Sequence, residues 1–193
     1  MEAKLPNPNK KIVFGITGEL LSGKTTAADF FIKEFNAERF KFSGLLDEVL
    51  KILDLPLTRI NEQDMGALLK KEFGEDVLVN TLAKRASLTD RQFILFDGLR
   101  KPEEVQAIKT QIPGFKLIYI QSQLETRYAR LKDRREKPDE HTKTFEEFIE
   151  SQKHSADASI PLLVKDADFV IHNDSTIESF LSQLRNIVEK ESV

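Results

Sequence analysis

Gly18-Glu19-Leu20-Leu21-Ser22-Gly23-Lys24-Thr25 follows directly on the apolar run IVFGIT at positions 12–17 and opens a stretch with helical spacing, Ala27, Ala28, Phe31 and Phe35. Few folds accommodate that order. A strand running into G-x-x-x-x-G-K-[ST] and then a helix lets the backbone wrap until its N–H groups converge on one point, to which the helix N-terminus adds partial positive charge. Such a turn binds phosphate oxygens. The pattern predicts that Lys24 reaches the β and γ phosphates of a nucleoside triphosphate and that the Thr25 hydroxyl binds Mg²⁺.

Four further runs have the character of buried strands: the weaker 39–42, then FILF at 93–96, FKLIYI at 115–120 and FVI at 169–171. Near-continuous apolar runs suit a parallel sheet covered on both faces. Between them lie helical patterns, including Leu45, Leu46, Val49, Leu50 and Leu53, then Val105 and Ile108 ahead of Pro113, and a late helix carrying Phe180, Leu181, Leu184 and Ile187. Thr144-x-x-Glu147 and Ser175-x-x-Glu178 read as helix starts of the capping-box type. The alternation implies a three-layer α/β/α fold. At 193 residues the chain is read as one domain, 1–193. Two insertions interrupt it. Residues 43–88 hold about three helical segments, too many for one crossover, and form a side lobe; residues 132–143 (KDRREKPDEHTK) contain nothing that could enter a core.

Composition removes several classes. With 29 basic against 32 acidic residues the net charge is -3, so there is no diffuse basic field for a nucleic-acid polymer and any anion must be held locally. The absence of Cys excludes a disulfide framework, a thiolate metal site and a thiol nucleophile, and His141, His154 and His172 lack ligand spacing. No run approaches the ~18 apolar residues of a membrane span, and the polar start with two Pro is unlike a signal peptide. A cytoplasmic protein without a membrane partner is the expectation.

Two further clusters bear on chemistry. Asp97-Gly98-Leu99-Arg100 ends the FILF run, and in an open parallel sheet that end borders the ligand crevice. Asp97 is suited to hold Mg²⁺ and Arg100 to fork onto a second phosphate, although a strand-end turn with a surface ion pair has the same composition. Arg127, Arg130 and Arg134 share one helical face, with Arg135 next to them. Alone they read as a solvated face; beside a phosphate loop they can supply cations as a loop closes.

Together these residues resemble the P-loop nucleoside monophosphate kinase group, which spans adenylate-kinase-like enzymes, deoxynucleoside monophosphate kinases and dephospho-CoA kinases. TGELLSGKTT looks like its phosphate loop, FDGLRKPEEV its Asp-Gly-x-Arg turn and ETRYARLKDRR its lid arginines, while TFEEF at 144–148 and ADFVIHND at 167–174 are similar to its later elements. The chain departs from adenylate kinases where Asp47 and Glu48 follow Ser43-Gly44-Leu45-Leu46 in place of an Arg, and where Glu104 or Val105 falls near a base-reading Gln. The resemblance implies a five-stranded parallel sheet of order 2-3-1-4-5, an acceptor-binding lobe at 43–88 and a lid at 132–143. It also implies transfer of the γ-phosphoryl group of ATP, with Mg²⁺, to a nucleoside or deoxynucleoside monophosphate, by a monomer or homodimer. Its rivals are transfer to a hydroxyl, as in dephospho-CoA kinase, and a regulatory nucleotide-binding ATPase. The implied nucleotide contacts are Gly18, Leu21, Ser22, Gly23, Lys24, Thr25, Thr26, Arg130 and Asn173; the implied catalytic groups are Lys24, Asp97, Arg100, Arg130 and Arg134, with Thr25 and Asp97 on the metal.

Overall fold

Every position of the strand Ile12–Thr17 is buried, and the alternation of its side chains sets out the layers. In a computed structural model, which describes residues 10–133, 143–153 and 158–192, the chain runs β1 (Ile12–Thr17), α1 (Lys24–Phe35), β2 (Glu38–Lys41), α2 (Phe42–Ile52), α3 (Arg59–Phe73), α4 (Val77–Leu88), β3 (Phe93–Asp97), α5 (Pro102–Gln111), β4 (Lys116–Gln121), α6 (Leu124–Asp133), α7 (Phe145–Lys153), a 3-10 turn (Ile160–Lys165), β5 (Phe169–His172) and α8 (Ile177–Glu191). Ile12, Phe14 and Ile16 face one side, where they meet Ala27, Ala28 and Phe31 of α1 and Phe180 and Leu184 of α8. Val13 faces the other, with Leu45 and Leu46 of α2, Leu78 and Leu82 of α4, and Val105 and Ile108 of α5. Alternation puts Gly15 on that second side, where a Cβ would come within 2.4 Å of the Phe115 ring.

The sheet has the order β2-β3-β1-β4-β5 with all four pairings parallel, as the resemblance implies. The register sets Ile16 beside Asp97 and Ile118, and Lys41 beside Asp97, so the carboxyl ends of β1, β2 and β3 finish together. Beyond them the loop 18–23, the turn 98–101 and the start of α2 share one end of the sheet. Asp168 pins the edge strand: its Oδ2 accepts from the Leu117 N–H at 2.8 Å. Burial opposes ionisation of Asp168, but that N–H and the cations of Lys109 and Lys116 outweigh it and hold the carboxyl below its ordinary value.

The three helical segments expected over 43–88 are α2, α3 and α4. The late capping frames divide. Thr144 and Glu147 form the reciprocal pair, with the Thr144 N–H donating to Glu147 Oε2 at 2.7 Å and the Glu147 N–H to Thr144 Oγ1 at 3.2 Å. The second frame is shifted by one residue: Thr176, not Ser175, caps α8, accepting from the Ser179 N–H at 3.2 Å. Starting there leaves Glu178 free to complement the helix dipole in the first turn. No helix among the described residues is long and apolar enough to cross a membrane.

Candidate phosphate-binding site

The loop between β1 and α1 departs from ordinary backbone at three positions, Gly18 (φ 148°), Leu21 (φ 64°) and Gly23 (φ 112°). Two need glycine for space as well. A Cβ on Gly18 would lie 2.4 Å from the Ile120 carbonyl oxygen, and one on Gly23 would lie 2.2 Å from Asn173 Nδ2. The loop therefore passes hard against the ends of β4 and β5. Leu21 takes a left-handed conformation that costs a non-glycine residue roughly 1–2 kcal/mol.

Lys24 folds back over the loop, its Nζ donating to the carbonyls of Gly18 at 2.6 Å and Glu19 at 2.9 Å. Gly23 gives α1 no side-chain cap, and the first turn holds no acidic residue. The N-terminal end of α1, with Thr25 and Thr26 exposed on it, thus presents the positive end of the helix dipole without a carboxylate of its own. The Ser22 hydroxyl is wholly buried and has no hydrogen-bond partner among the described residues. An orphaned donor of this kind costs about 1–3 kcal/mol, and a ligand oxygen would satisfy it. On these grounds the loop fits a polyphosphate.

The back of the loop is held by side chains. Asn173 follows β5 and donates from Nδ2 to the Ser22 carbonyl at 2.8 Å. Arg130 donates from Nη1 to the Leu21 carbonyl at 3.0 Å and from Nη2 to the Asn173 carbonyl at 2.6 Å. Burial pulls the Arg130 guanidinium below the usual arginine value, against the Asp174 carboxylate. Asp174 Oδ1 accepts from Ser122 Oγ and the Gln123 N–H, each at 2.8 Å. Desolvation would raise that carboxyl, but those bonds, the Thr126 side chain and Arg130 together hold it below the ordinary range. Arg127 is buried on the neighbouring turn, where its Nη2 donates to Glu19 Oε1 at 2.9 Å.

Asp97 ends β3 nearly buried and is ion-paired with Arg39 of β2, whose Nε donates to Oδ2 at 3.0 Å and whose Nη2 reaches the same oxygen. Gly98 follows at φ 98°, and Thr17 Oγ1 ties the turn to β1 by donating to the Leu99 carbonyl at 2.8 Å. Arg100 is next, its N–H bonded to Glu104 Oε2 at 3.0 Å. The same carboxylate accepts from the Lys101 N–H, and its Oε1 from Lys70 of α3 at 3.2 Å. Glu104, near the expected base-reading position, is thus occupied in joining the turn to α3.

The fold brings Gly18, Leu21, Ser22, Gly23, Lys24, Thr25, Thr26, Arg130 and Asn173 to one loop, with Asp97 and Arg100 on the adjoining strand end. Arg134, Arg135, His141, His154 and the central part of the expected lid, 134–142, lie outside the described residues. The two ends of that segment meet, because Lys132 Nζ and Tyr128 Oη both donate to the Lys143 carbonyl, at 2.7 and 3.1 Å. The sequence reading missed Thr17, Arg39 and the inward use of Arg127. Among the described residues no three His, Cys, Asp or Glu gather as a metal site, so a cation here would rely on the oxygens of Asp97, Thr25 and the phosphates, the usual pattern for Mg²⁺.

No family model matches the chain. It is 29% identical over 181 residues, 93% of its length and 90% of the relative's, to UPF0200 protein MJ1399 of Methanocaldococcus jannaschii. Among solved structures it is similar to a shikimate kinase from Bacteroides thetaiotaomicron, with a TM-score of 0.61 and 14% identity over 92% of this chain and 98% of that one. A sugar kinase from Janibacter sp. HTCC2649 gives a TM-score of 0.55 and 16% identity, covering 95% of this chain and 99% of that one. Identities this low speak for the fold, and the sheet order and the loop after β1 agree with them: the chain has the fold of the P-loop kinases.

Proposed function

We propose that this protein is a Mg²⁺-dependent phosphotransferase that moves the γ-phosphoryl group of ATP to a nucleoside or deoxynucleoside monophosphate. The observation that carries the reading is the loop itself, with two glycines that admit no side chain, a buried hydroxyl without a partner, and Lys24 lying across it. Lys24 and the N–H groups at the start of α1 hold the donor phosphates. Thr25 and Asp97 hold the cation, which when bound neutralises charge on the β and γ oxygens. Arg100, beyond Asp97, holds the acceptor phosphate, and the lobe 43–88 surrounds the acceptor. Arg130, already against Leu21, serves the nucleotide together with Asn173, and Arg134 belongs with it. An anionic acceptor needs little help from a general base, so catalysis rests on positioning and charge stabilisation. A cytoplasmic monomer or homodimer accords with this reading.

A second reading, transfer to a hydroxyl as in dephospho-CoA kinase, draws support from the fold neighbours named shikimate kinase and sugar kinase. A third, a regulatory ATPase without a small acceptor, predicts ATP hydrolysis that no monophosphate accelerates. A coupled assay of ATP consumption over a panel of nucleoside monophosphates, dephospho-CoA and hydroxyl acceptors separates the three. Turnover with a monophosphate supports the first; turnover only with a hydroxyl compound replaces it with the second.

A further inference from the structure

The phosphate loop carries an acid. Glu19 directly follows Gly18, and its backbone is part of the cradle: its carbonyl accepts from Lys24 Nζ at 2.9 Å and from the Ser22 N–H at 3.1 Å. A carboxylate carried on that backbone adds negative charge beside any anion the loop holds. At a separation of ~10 Å and an effective dielectric near 20, like-charge repulsion changes affinity by about tenfold. An uncompensated Glu19 would therefore work against the loop's own ligand.

Arg127 meets it from behind. Only 5% of this side chain is exposed, and its three nitrogens all have protein acceptors. Nη2 donates to Glu19 Oε1 at 2.9 Å, Nη1 to the Leu20 carbonyl at 3.4 Å and to Gln152, and Nε to the Ser122 carbonyl at 3.2 Å. The guanidinium also lies 6.0 Å from the centre of the Phe148 ring. Tyr119 senses both charges: burial first and then Glu19 push its phenol up to about 12, while Arg127 acts in the opposite sense.

We propose that Arg127 is the built-in counter-ion of the phosphate loop, a positioning residue that neutralises and holds the Glu19 carboxylate and so sets triphosphate affinity through Glu19, without touching phosphate. The proposal rests on the triphosphate-binding reading above. A charge-compensating role makes the two residues interdependent and makes loss of the Glu19 charge tighten binding, whereas a phosphate contact by Arg127 gives no interdependence and a purely structural ion pair gives no tightening.

The test is a double-mutant cycle read by calorimetric binding of ATP to the full chain, with Glu19→Gln, Arg127→Met and the pair together. Arg127→Met is expected to weaken binding at least tenfold, and in the Glu19→Gln background the same change should cost less than threefold. Equal losses in both backgrounds would overturn the proposal. Glu19→Gln alone, a change at a half-buried position, keeps the Arg127 charge and is expected to tighten ATP binding at least threefold. This variant decides the matter even if Arg127→Met does not fold, because unchanged or weaker binding by Glu19→Gln also overturns the proposal. If the wild-type protein binds no ATP, the triphosphate reading itself falls; if it binds and the cycle shows no coupling, only the counter-ion role falls.

Discussion

The hydroxyl of Thr17, at the end of β1, donates to the carbonyl of Leu99 across 2.8 Å, in a buried bond between residues 82 apart in sequence. It fixes the departure of the phosphate loop relative to the turn that carries Arg100. Thr17→Val keeps the shape and removes the donor, leaving a buried carbonyl unsatisfied at a cost of about 1–3 kcal/mol. Urea unfolding should show that loss in full, and Thr17→Ser should recover most of it. Equal midpoints for wild type and Thr17→Val would mean that the turn is set by other contacts.

Lys24→Met should fold and lose phosphoryl transfer. The aliphatic stem is replaced by one of similar bulk, but the charge proposed to face the β and γ phosphates is gone. Turnover above about a tenth of wild type, equivalent to less than 1.4 kcal/mol, would contradict the assignment.

Asp97 and Arg39 should separate chemistry from stability. Each substitution, Asp97→Asn or Arg39→Gln, leaves the other charge without its partner at the end of the sheet, and both should lower unfolding stability by about 1–3 kcal/mol. Only Asp97→Asn should also raise the Mg²⁺ concentration needed for half-maximal turnover. A Mg²⁺ requirement that moves equally in both would make the ion pair, rather than the carboxylate, the functional unit.

Substrate roles should divide at Arg100. Arg100→Ala is expected to raise the KM of the acceptor at least tenfold while changing that of ATP less than threefold, with Arg100→Lys recovering only part, since a point charge cannot reproduce a planar fork. Steady-state kinetics with each substrate varied in turn gives the comparison; matching rises would remove Arg100 from the acceptor site.

Acid sensitivity should trace in part to Asp174. Its carboxyl is held below the ordinary value of 3.8 in the fold, so its bonds stabilise the protein above that value and the contribution is lost as pH falls through the lower, folded-state pKa. Asp174→Asn should therefore be less stable than wild type at pH 7, the difference shrinking as pH drops below the ordinary carboxylate range. Unfolding curves over a pH series check the convergence, and a constant gap would rule out the linkage.

What could be read from the sequence was contiguous or periodic. The loop motif occupies eight successive residues and the strands are unbroken apolar runs, so both survive without knowledge of tertiary pairing. Arg39 did not stand out because its partner lies 58 residues away on a neighbouring strand, and only the β2–β3 register brings them together. Thr17 was hidden for the same reason. Arg127 was visible only as one cation on a helical face; the signal that could have distinguished it was an acid inside the phosphate loop, which calls for a counter-ion. The shift from Ser175 to Thr176 at α8 reflects two adjacent hydroxyl residues, either of which can cap, with the choice left to how the helix packs.

Asn173 gives the site a place in time. It follows β5, the outer strand of the sheet, and its amide both supports the Ser22 carbonyl and occupies the space a Gly23 side chain would need. The loop is written near the start of the chain, but its support arrives near the end. During synthesis, the segment up to β4 can assemble the central strands around a loop that still lacks its rear wall. A growing chain should therefore acquire tight nucleotide retention only once β5 has emerged and docked, making ligand capture a report on the last stage of folding rather than the first.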